Sequence, residues 1–336
     1  MAHALSMLYG AAAAWRRQWY AQHPDRRRTL VRPVISVGNL RVGGSGKTPV
    51  VEHIARLLAD AGYSPAILSR GYGRKVPGSI PTIVSDGRKI LARVDTSGDE
   101  PLMLARALLG KAVPVVVCAD RYAAGKVAES QLGATVHILD DGFQHFGLAR
   151  DVDLLVTGEH DLADEPLPHG RLREPLSAAV SADALLVDAG YQDAAERVAR
   201  ALRVRNAYHI TRTLLPPRVV GSGDTVVVPN DSRVFAFAGI ARPERFFSDL
   251  TSAGWNVVGT KSFRDHHYFS RPEIERIRAA ALKARAAIVL TTDKDAVRVP
   301  ADALDPGSDR PIASVPLVST VEPSDEFRAW LLGQIR

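Results

Sequence analysis

The sequence predicts an α/β protein: a parallel sheet flanked by helices and built around a phosphate-binding loop, followed by a second, smaller α/β domain reached through a β linker. Three observations carry this. From Val34 onward, short apolar runs alternate with segments of helical period, the pattern of parallel βα units. The stretch "SVGNLRVGGSGKTP", residues 36–49, places a glycine-rich loop between such a strand and such a helix, so the expected first domain is P-loop NTPase-like. After Asn206 the texture changes to β-branched alternation broken by Gly, Pro and Asp-Ser turns.

The elements follow in order. Leu5, Leu8, Ala12, Trp15 and Trp19 recur at 3-4-3-4 spacing and line one helical face. Val34–Val37 reads as a strand, and Val50, Val51, Ile54, Leu57, Leu58 and Ala61 mark one face of a helix ending at Gly62. Further strands are expected at Ala66–Ser69, Val113–Cys118, Val136–Asp140, Leu154–Val156 and Ala184–Val187, with helices near Pro101–Leu109 and Arg121–Leu132. In the second domain, strands are expected at Val234–Phe237 and Ile288–Thr291, with a helix from Pro272 to Ala284 between them. Ser324–Ile335 reads as a closing helix capped by Ser324. The expected division is a basic amphipathic segment at 1–32, a phosphate-loop domain at 33–208 on which the closing helix 323–336 packs, and a smaller domain at 209–322.

With 336 residues, 46% hydrophobic and 24% charged, the chain has enough apolar material for two cores, and its composition excludes collagen-like and disordered classes. The single cysteine, Cys118, ends an apolar run and reads as a buried strand residue, so no internal disulfide forms. The net charge of +6 does not read as a nucleic-acid footprint, because Arg16, Arg17, Arg26, Arg27, Arg28 and Arg32 against Asp25 place five of those charges within residues 1–32. There the apolar run from Met7 to Trp15 is far short of the ~20 residues that cross a bilayer. The arginines follow that run, whereas a signal peptide has its charge in front. Tryptophans beside arginines suit an anionic membrane surface; a helix packed on its own domain is the alternative.

The motifs give the chemistry. Counting back from Gly46-Lys47-Thr48 puts Arg41 where a Walker A loop has its first glycine. The working parts are present nonetheless. Gly43, Gly44, Ser45 and Gly46 bring backbone amides close to a phosphate, Lys47 reaches the β/γ-phosphates of ATP, and Thr48 offers a hydroxyl to Mg²⁺. "VHILDDGFQH" is an apolar strand ending in Asp140-Asp141, the form of a Walker B strand. In "SGDEPLML", Asp99 and Glu100 open a helix as caps, or present a carboxylate to an attacking hydroxyl. "FRDHHYF" sets His266 and His267 beside Asp265 and offers a partner for such a base; no zinc-type Cys/His spacing is present. Arg70, Arg74, Arg171 and Arg173 are candidate anion contacts and Tyr72 a stacking residue. Thr292–Asp295 lacks the N-K-x-D spacing of a guanine reader.

Taken in order, "LYG", "VGNLRVGGSGKTP", "SRGYGR", "GDEPLMLA", "DDGFQH", "LREP", "FAGIARPERFF", "FRDHHYF" and "TDKDAVR" resemble the tetraacyldisaccharide 4'-kinases of Gram-negative bacteria over nearly the full length. The resemblance implies transfer of the γ-phosphoryl of ATP to the 4'-hydroxyl of an acylated glucosamine disaccharide 1-phosphate. The enzyme would be peripheral, at the cytoplasmic face of the inner membrane, with no obligate protein partner and no nucleic acid. It also implies that Asp99 is the base, with His266 its partner, and that Asp140, Asp141 and Glu174 lie on or next to Mg²⁺. Gln144 and His145 border the same site, with Arg70, Tyr72, Arg171 and Arg173 near the substrate. Which of Asp140 and Asp141 meets the metal, and which of His266 and His267 meets Asp99, stays open. Departures from the family pattern are Ser45 for threonine, Ala241 for glycine and Arg171 for proline. The rival readings are a membrane-surface ATPase switch of the partitioning type, which would carry a lysine where this chain has Val42, and a soluble small-molecule kinase, which would leave the tryptophan- and arginine-bearing helix without a purpose.

Overall fold

β-branched and leucine runs bounded by glycine or polar turns form the strands here, and segments of helical period form the helices that cover them. In the computed structural model, which describes residues 2–44, 46–75, 80–304 and 310–335, the chain opens with α1 (Ala2–Gln22), β1 (Val34–Gly38), α2 (Lys47–Asp60), β2 (Pro65–Ser69) and β3 (Thr82–Ser85). It continues through α3 (Val94–Ser97), α4 (Asp99–Ala107), β4 (Val115–Val117), α5 (Arg121–Leu132), β5 (Val136–Asp140) and β6 (Val152–Thr157). Next come β7 (Ala184–Val187), α6 (Gln192–Leu202), β8 (Asn206–Leu214) and β9 (Arg218–Val219). The remainder is β10 (Arg233–Ala238), α7 (Pro243–Ser252), β11 (Asn256–Ser262), α8 (Arg271–Lys283), β12 (Ile288–Thr292), α9 (Asp293–Ala296), β13 (Ile312–Val315), β14 (Leu317–Glu322) and α10 (Ser324–Gln334).

The chain forms two units. One comprises Met1–Ser97, Leu104–Arg212 and Ser319–Arg336, the other Gly98–Met103 and Thr213–Val318.

The large unit holds a sheet in the order β14-β8-β7-β6-β1-β5-β2-β4-β3. From β8 across to β4 neighbouring strands pair in parallel, and β3 pairs antiparallel with β4. β1, β2 and β4 to β7 are buried along their whole length, as strands covered on both faces must be. On one face Leu155, Leu185 and Val187 pack with Ala195, Val198 and Leu202 of α6, and further along the same face Leu68, Val116, Cys118 and Leu139 pack with Ala124 and Ala128 of α5. Each such leucine contributes about 1.5–3 kcal/mol by leaving water. Asp120 caps α5 by accepting from the amides of Tyr122 and Ala123, and pairs with Arg28 at 2.6 Å.

Of the stretch expected to start the linker, Asn206–Leu214 is a strand of this sheet, parallel to β7 with Ala184 opposite Asn206. Its alternation of buried Tyr208 and Ile210 with less buried neighbours is that of a strand covered mainly on one face. Ser324 is the first residue of α10 and not its cap; the Glu322 carboxylate accepts from both its amide, at 2.8 Å, and its hydroxyl, at 2.9 Å. The helix buries Phe327 against His53 and Tyr208 of the same unit.

The small unit holds the order β11-β10-β12-β13-β9, parallel except for β9 against β13. Alternate residues of β10 serve its two faces: Phe235 and Phe237 pack with Ile274 and Ile277 of α8, while Val234, Ala236 and Ala238 pack with Phe246 and Leu250 of α7. α8 starts in a capping box in which Ser270 and Glu273 satisfy one another's amides.

Candidate active site

The topology of the large unit decides where a phosphate goes. The chain leaves β1 for β2 on one side and leaves β5 for β6 on the other, while β1 and β5 lie side by side with Val37 opposite Asp140. The loops after both strands therefore meet at the carboxyl edge of the sheet, where such sheets bind ligands. Gly38 makes the meeting close, because a Cβ there would fall 2.7 Å from the Phe143 amide nitrogen. The amide of Gly142 then donates to the Val37 carbonyl at 3.1 Å.

The loop 39–46 leads into α2 through Gly46, whose φ of 74° is left-handed and whose missing Cβ makes room for the Arg212 guanidinium. Gly43 is also left-handed, at 95°. Gly44 is exposed, and Ser45 lies outside the described residues. Lys47 and the half-buried Thr48 open α2, so the helix N-terminus adds its partial positive charge at the loop. Arg41, at the position of the absent first glycine, reaches Asp161 and Asp164 at 3.4 Å each. The segment 171–173 braces it from behind: the Val42 amide donates to the Arg171 carbonyl at 2.8 Å and the Arg173 amide to the Leu40 carbonyl at 2.6 Å.

A closed ring of polar side chains then forms. The Lys47 ammonium donates to Asn39 Oδ1 at 2.8 Å and lies 3.3 Å from Asp141 Oδ1. Arg173 donates to Asp141 Oδ2 at 2.8 Å and to Gln144 Oε1 at 3.3 Å, and Gln144 donates to the Asn39 carbonyl at 2.9 Å. Burial pushes the Asp141 carboxyl up, but the charges of Lys47 and Arg173 outweigh it and leave the group below the ordinary carboxylate range. Asp140 is buried and accepts from the Ser69 hydroxyl at 3.2 Å. Beside the pair lies Arg121, buried to 4% exposure, whose guanidinium is lowered to about 10 by burial and by Arg70 while Asp140 and Asp141 push it back up. His145 is lowered to about 4 by burial and by Arg121 and Arg150, so its imidazole is neutral at pH 7.

Carboxylate and hydroxyl oxygens from Asp140, Asp141 and Thr48 are the hard donors that a Mg²⁺ ion takes. Glu174 does not share in this. Both its oxygens are committed to Arg17 of α1, at 2.6 and 2.7 Å, and that guanidinium also donates to the Phe143 carbonyl at 3.2 Å and covers the Phe143 ring at 4.1 Å.

The small unit carries the other cluster. Asp99, 3% exposed, accepts from His266 Nδ1 at 2.8 Å. His266 is held at φ 62° by its amide, which donates to the Gly239 carbonyl at 3.2 Å and to Asp265 Oδ1 at 3.0 Å. Its Nε2 faces the Lys294 ammonium at 3.4 Å, which assigns the ring proton to Nδ1 and directs it at Asp99. Lys294 also reaches Glu100 at 3.1 Å and Asp265 at 3.4 Å. Arg298, fully buried, lies 3.5 Å from Asp99 Oδ2 and is fixed by Asp295 Oδ1 at 2.8 Å and the Gly239 carbonyl at 3.1 Å. Burial pushes the Asp99 carboxyl up, yet the His266 hydrogen bond and the charges of Lys294 and Arg298 bring it below its ordinary value. His267 turns the other way, bonding Glu273 at 3.1 Å and stacking on Phe263.

Residues 1–336 match the tetraacyldisaccharide-1-P 4'-kinase family. The chain belongs to this family. Among its relatives, the tetraacyldisaccharide 4'-kinase of Desulfotalea psychrophila is 40% identical over 305 residues, 88% of this chain and 86% of that one. That of Koribacter versatilis is 39% identical over 295 residues, 87% and 86% of the two chains. A crystal structure of LpxK from Aquifex aeolicus in complex with ATP has a TM-score of 0.78 at 31% identity, covering 99% of this chain and 98% of that one.

Within this kinase family frame, the expected residues sort by unit. Lys47, Thr48, Asp140, Asp141, Gln144 and Arg173 converge in the large unit, and Asp99 and His266 in the small one. Arg70, Tyr72 and Arg171 are exposed side chains; Arg171 serves the loop through its backbone. Asn39, Arg121, Arg212, Lys294 and Arg298 were not singled out as site residues. Asn39 sat in plain view in "VGNL", directly after the strand, and Arg298 follows Asp295 by one helical turn in "TDKDAVR".

Proposed function

We propose that this protein transfers the γ-phosphoryl group of ATP to the 4'-hydroxyl of tetraacyldisaccharide 1-phosphate, a step of lipid A biosynthesis. The observation that carries the reading is that a chain of this family holds both a phosphate loop closed by Asn39, Lys47, Asp141 and Arg173 and, separately in its small unit, an Asp99–His266 couple. The partitioning-type ATPase reading has no observation in its favour.

The glycine amides and the α2 N-terminus bind the phosphates of ATP, and Lys47 neutralises charge that develops between the β- and γ-phosphates. When bound, Mg²⁺ supplies Lewis-acid neutralisation of the phosphate oxygens, held by Thr48 and the Asp140/Asp141 carboxylates. The sugar oxygen attacks the γ-phosphorus as the bond to the β–γ bridging oxygen breaks and ADP leaves. Asp99 takes the hydroxyl proton. Its lowered pKa makes it a weak base, which suits a loose transition state in which the nucleophile's proton leaves late. His266 fixes the acceptor oxygen, and Lys294 fixes His266.

The outward row on α1 supports a reading in which the enzyme meets its substrate at a membrane surface. Leu5, Leu8 and Trp15 are exposed while Ser6 and Gly10 are buried, the reverse of a helix that packs through its apolar stripe. No described helix is long and apolar enough to cross a membrane. The reading is therefore peripheral association with an anionic bilayer, at the cytoplasmic face of the inner membrane where ATP is available.

The test is transfer from γ-labelled ATP to purified tetraacyldisaccharide 1-phosphate in detergent micelles, wild type against Asp99→Ala. Labelled bisphosphorylated lipid from the wild type alone supports both the activity and the base. ATP hydrolysis without labelled lipid overturns the kinase reading.

A further inference from the structure

We propose that His3, Glu165 and His169 form a second cation site, suited to Zn²⁺ and remote in chemistry from the phosphate loop, that latches the first turn of α1 to the segment 164–172. His3 Nδ1 lies 3.0 Å from Glu165 Oε2, and His169 Nδ1 lies 3.1 Å from the same oxygen. The three donor atoms fall within 4.8 Å of one another. A tetrahedral zinc with bonds of about 2.0–2.1 Å holds its ligand atoms about 3.3 Å apart, so small side-chain rotations complete the geometry. The ligands come from segments 162 residues apart that the fold has already joined.

The backbone around them is preset. Ser6, one turn beyond His3 and 1% exposed, accepts from the His169 amide at 2.9 Å. Asp164 Oδ1 accepts from the amides of Glu165 and Arg171, and the Leu172 amide donates to the Glu165 carbonyl at 2.9 Å. Gly10 lets α1 approach Pro166 and Pro175 to van der Waals contact. Both imidazoles and the carboxylate are thus delivered by elements that do not need the ion to assemble.

The donor set selects the ion. Two imidazoles with one carboxylate suit zinc and its neighbours, whereas Mg²⁺ and Ca²⁺ take oxygen ligands. The side chains are 67%, 42% and 51% exposed, so the fourth position opens to solvent and takes a water. Because the latched segment runs directly into Arg173 and Glu174, the ion braces the approach to the residues that meet Asp141 and Arg17.

The experiment uses untagged full-length protein stripped with a chelator and titrated with Zn²⁺ by calorimetry, without ATP or Mg²⁺. Co²⁺ is added in parallel to read its visible absorption. One equivalent is expected at micromolar protein, resistant to excess Mg²⁺, with a tetrahedral-type Co²⁺ spectrum. His169→Ala and Glu165→Gln each weaken binding at least tenfold, and Asp141→Asn leaves it unchanged. Hydrogen exchange of residues 2–10 slows when Zn²⁺ is bound. Absence of saturable binding, or binding indifferent to His169→Ala and Glu165→Gln, overturns the site. Binding without slowed exchange overturns the latch.

Discussion

Asp141 and His266 both hold positive φ, 58° and 62°, a conformation that costs an L-residue energy and persists only where surrounding bonds over-determine it. Each is over-determined, Asp141 by Lys47 and Arg173, His266 by Gly239, Asp265 and Asp99. Asp99→Asn keeps the shape of this cluster and removes the proposed base. The expected result is a kcat lower by about 10²–10⁴ with little change in KM for ATP; a matching rise in KM would make Asp99 a binding residue instead. Because the folded pKa of Asp99 lies below its unfolded value, its pairing stabilises the fold at neutral pH and is lost only as the pH falls through the lowered value. His145 acts in a higher window. Its pKa is about 4 against 6.5 in an unfolded chain, so the unfolded state binds a proton first and stability falls by up to about 1.4 kcal/mol per pH unit between those values. His145→Gln should flatten the urea midpoint over that window. The motif residues were legible at this scale because their spacing is local, and Lys294 and Arg298 were not, because their partners Asp99 and Glu100 lie nearly two hundred positions away.

Helix α1 has two working faces at the same period. Leu5, Leu8, Ala12, Trp15 and Trp19 form the row that the sequence displays, and Ser6, Gly10, Ala13 and Arg17 form the one that meets the protein. The second row is small or charged, so no hydrophobic pattern announces it, and its anchor Glu174 is 157 positions away. That distance explains why Glu174 read as a metal-side carboxylate. Arg17→Met strands the Glu174 carboxylate at 2% exposure without its cation, a change that costs about 3–5 kcal/mol. Leu8→Gln, on the row at 68% exposure, should stay within about 0.5 kcal/mol. Urea unfolding of the two variants against wild type measures both; equal effects would mean that α1 does not dock through Arg17.

For the whole molecule, the alternation of strands and helices was legible because each βα unit is local, whereas two returns of the chain were not. Gly98–Met103 counts with the small unit although both its flanks belong to the large one, and β14 comes back to pair beside β8 after the small unit is complete. Charge, unlike topology, is additive along the sequence and could be located at once: five of the six net positive charges fall in residues 1–32. That asymmetry makes a prediction with a sign and a salt dependence. Each arginine near an anionic surface adds about 1 kcal/mol of attraction, screened over about 10 Å at 0.1 M salt and about 3 Å at 1 M. Wild-type protein should therefore co-sediment with vesicles containing phosphatidylglycerol at 0.1 M salt and release in part at 1 M, the remainder being held by Leu5, Leu8 and Trp15. Replacing Leu5, Leu8 and Trp15 together by glutamine should leave binding that salt abolishes, since only the charge term survives. Binding to neutral vesicles as tight as to anionic ones would show that the basic segment serves the fold and not the membrane.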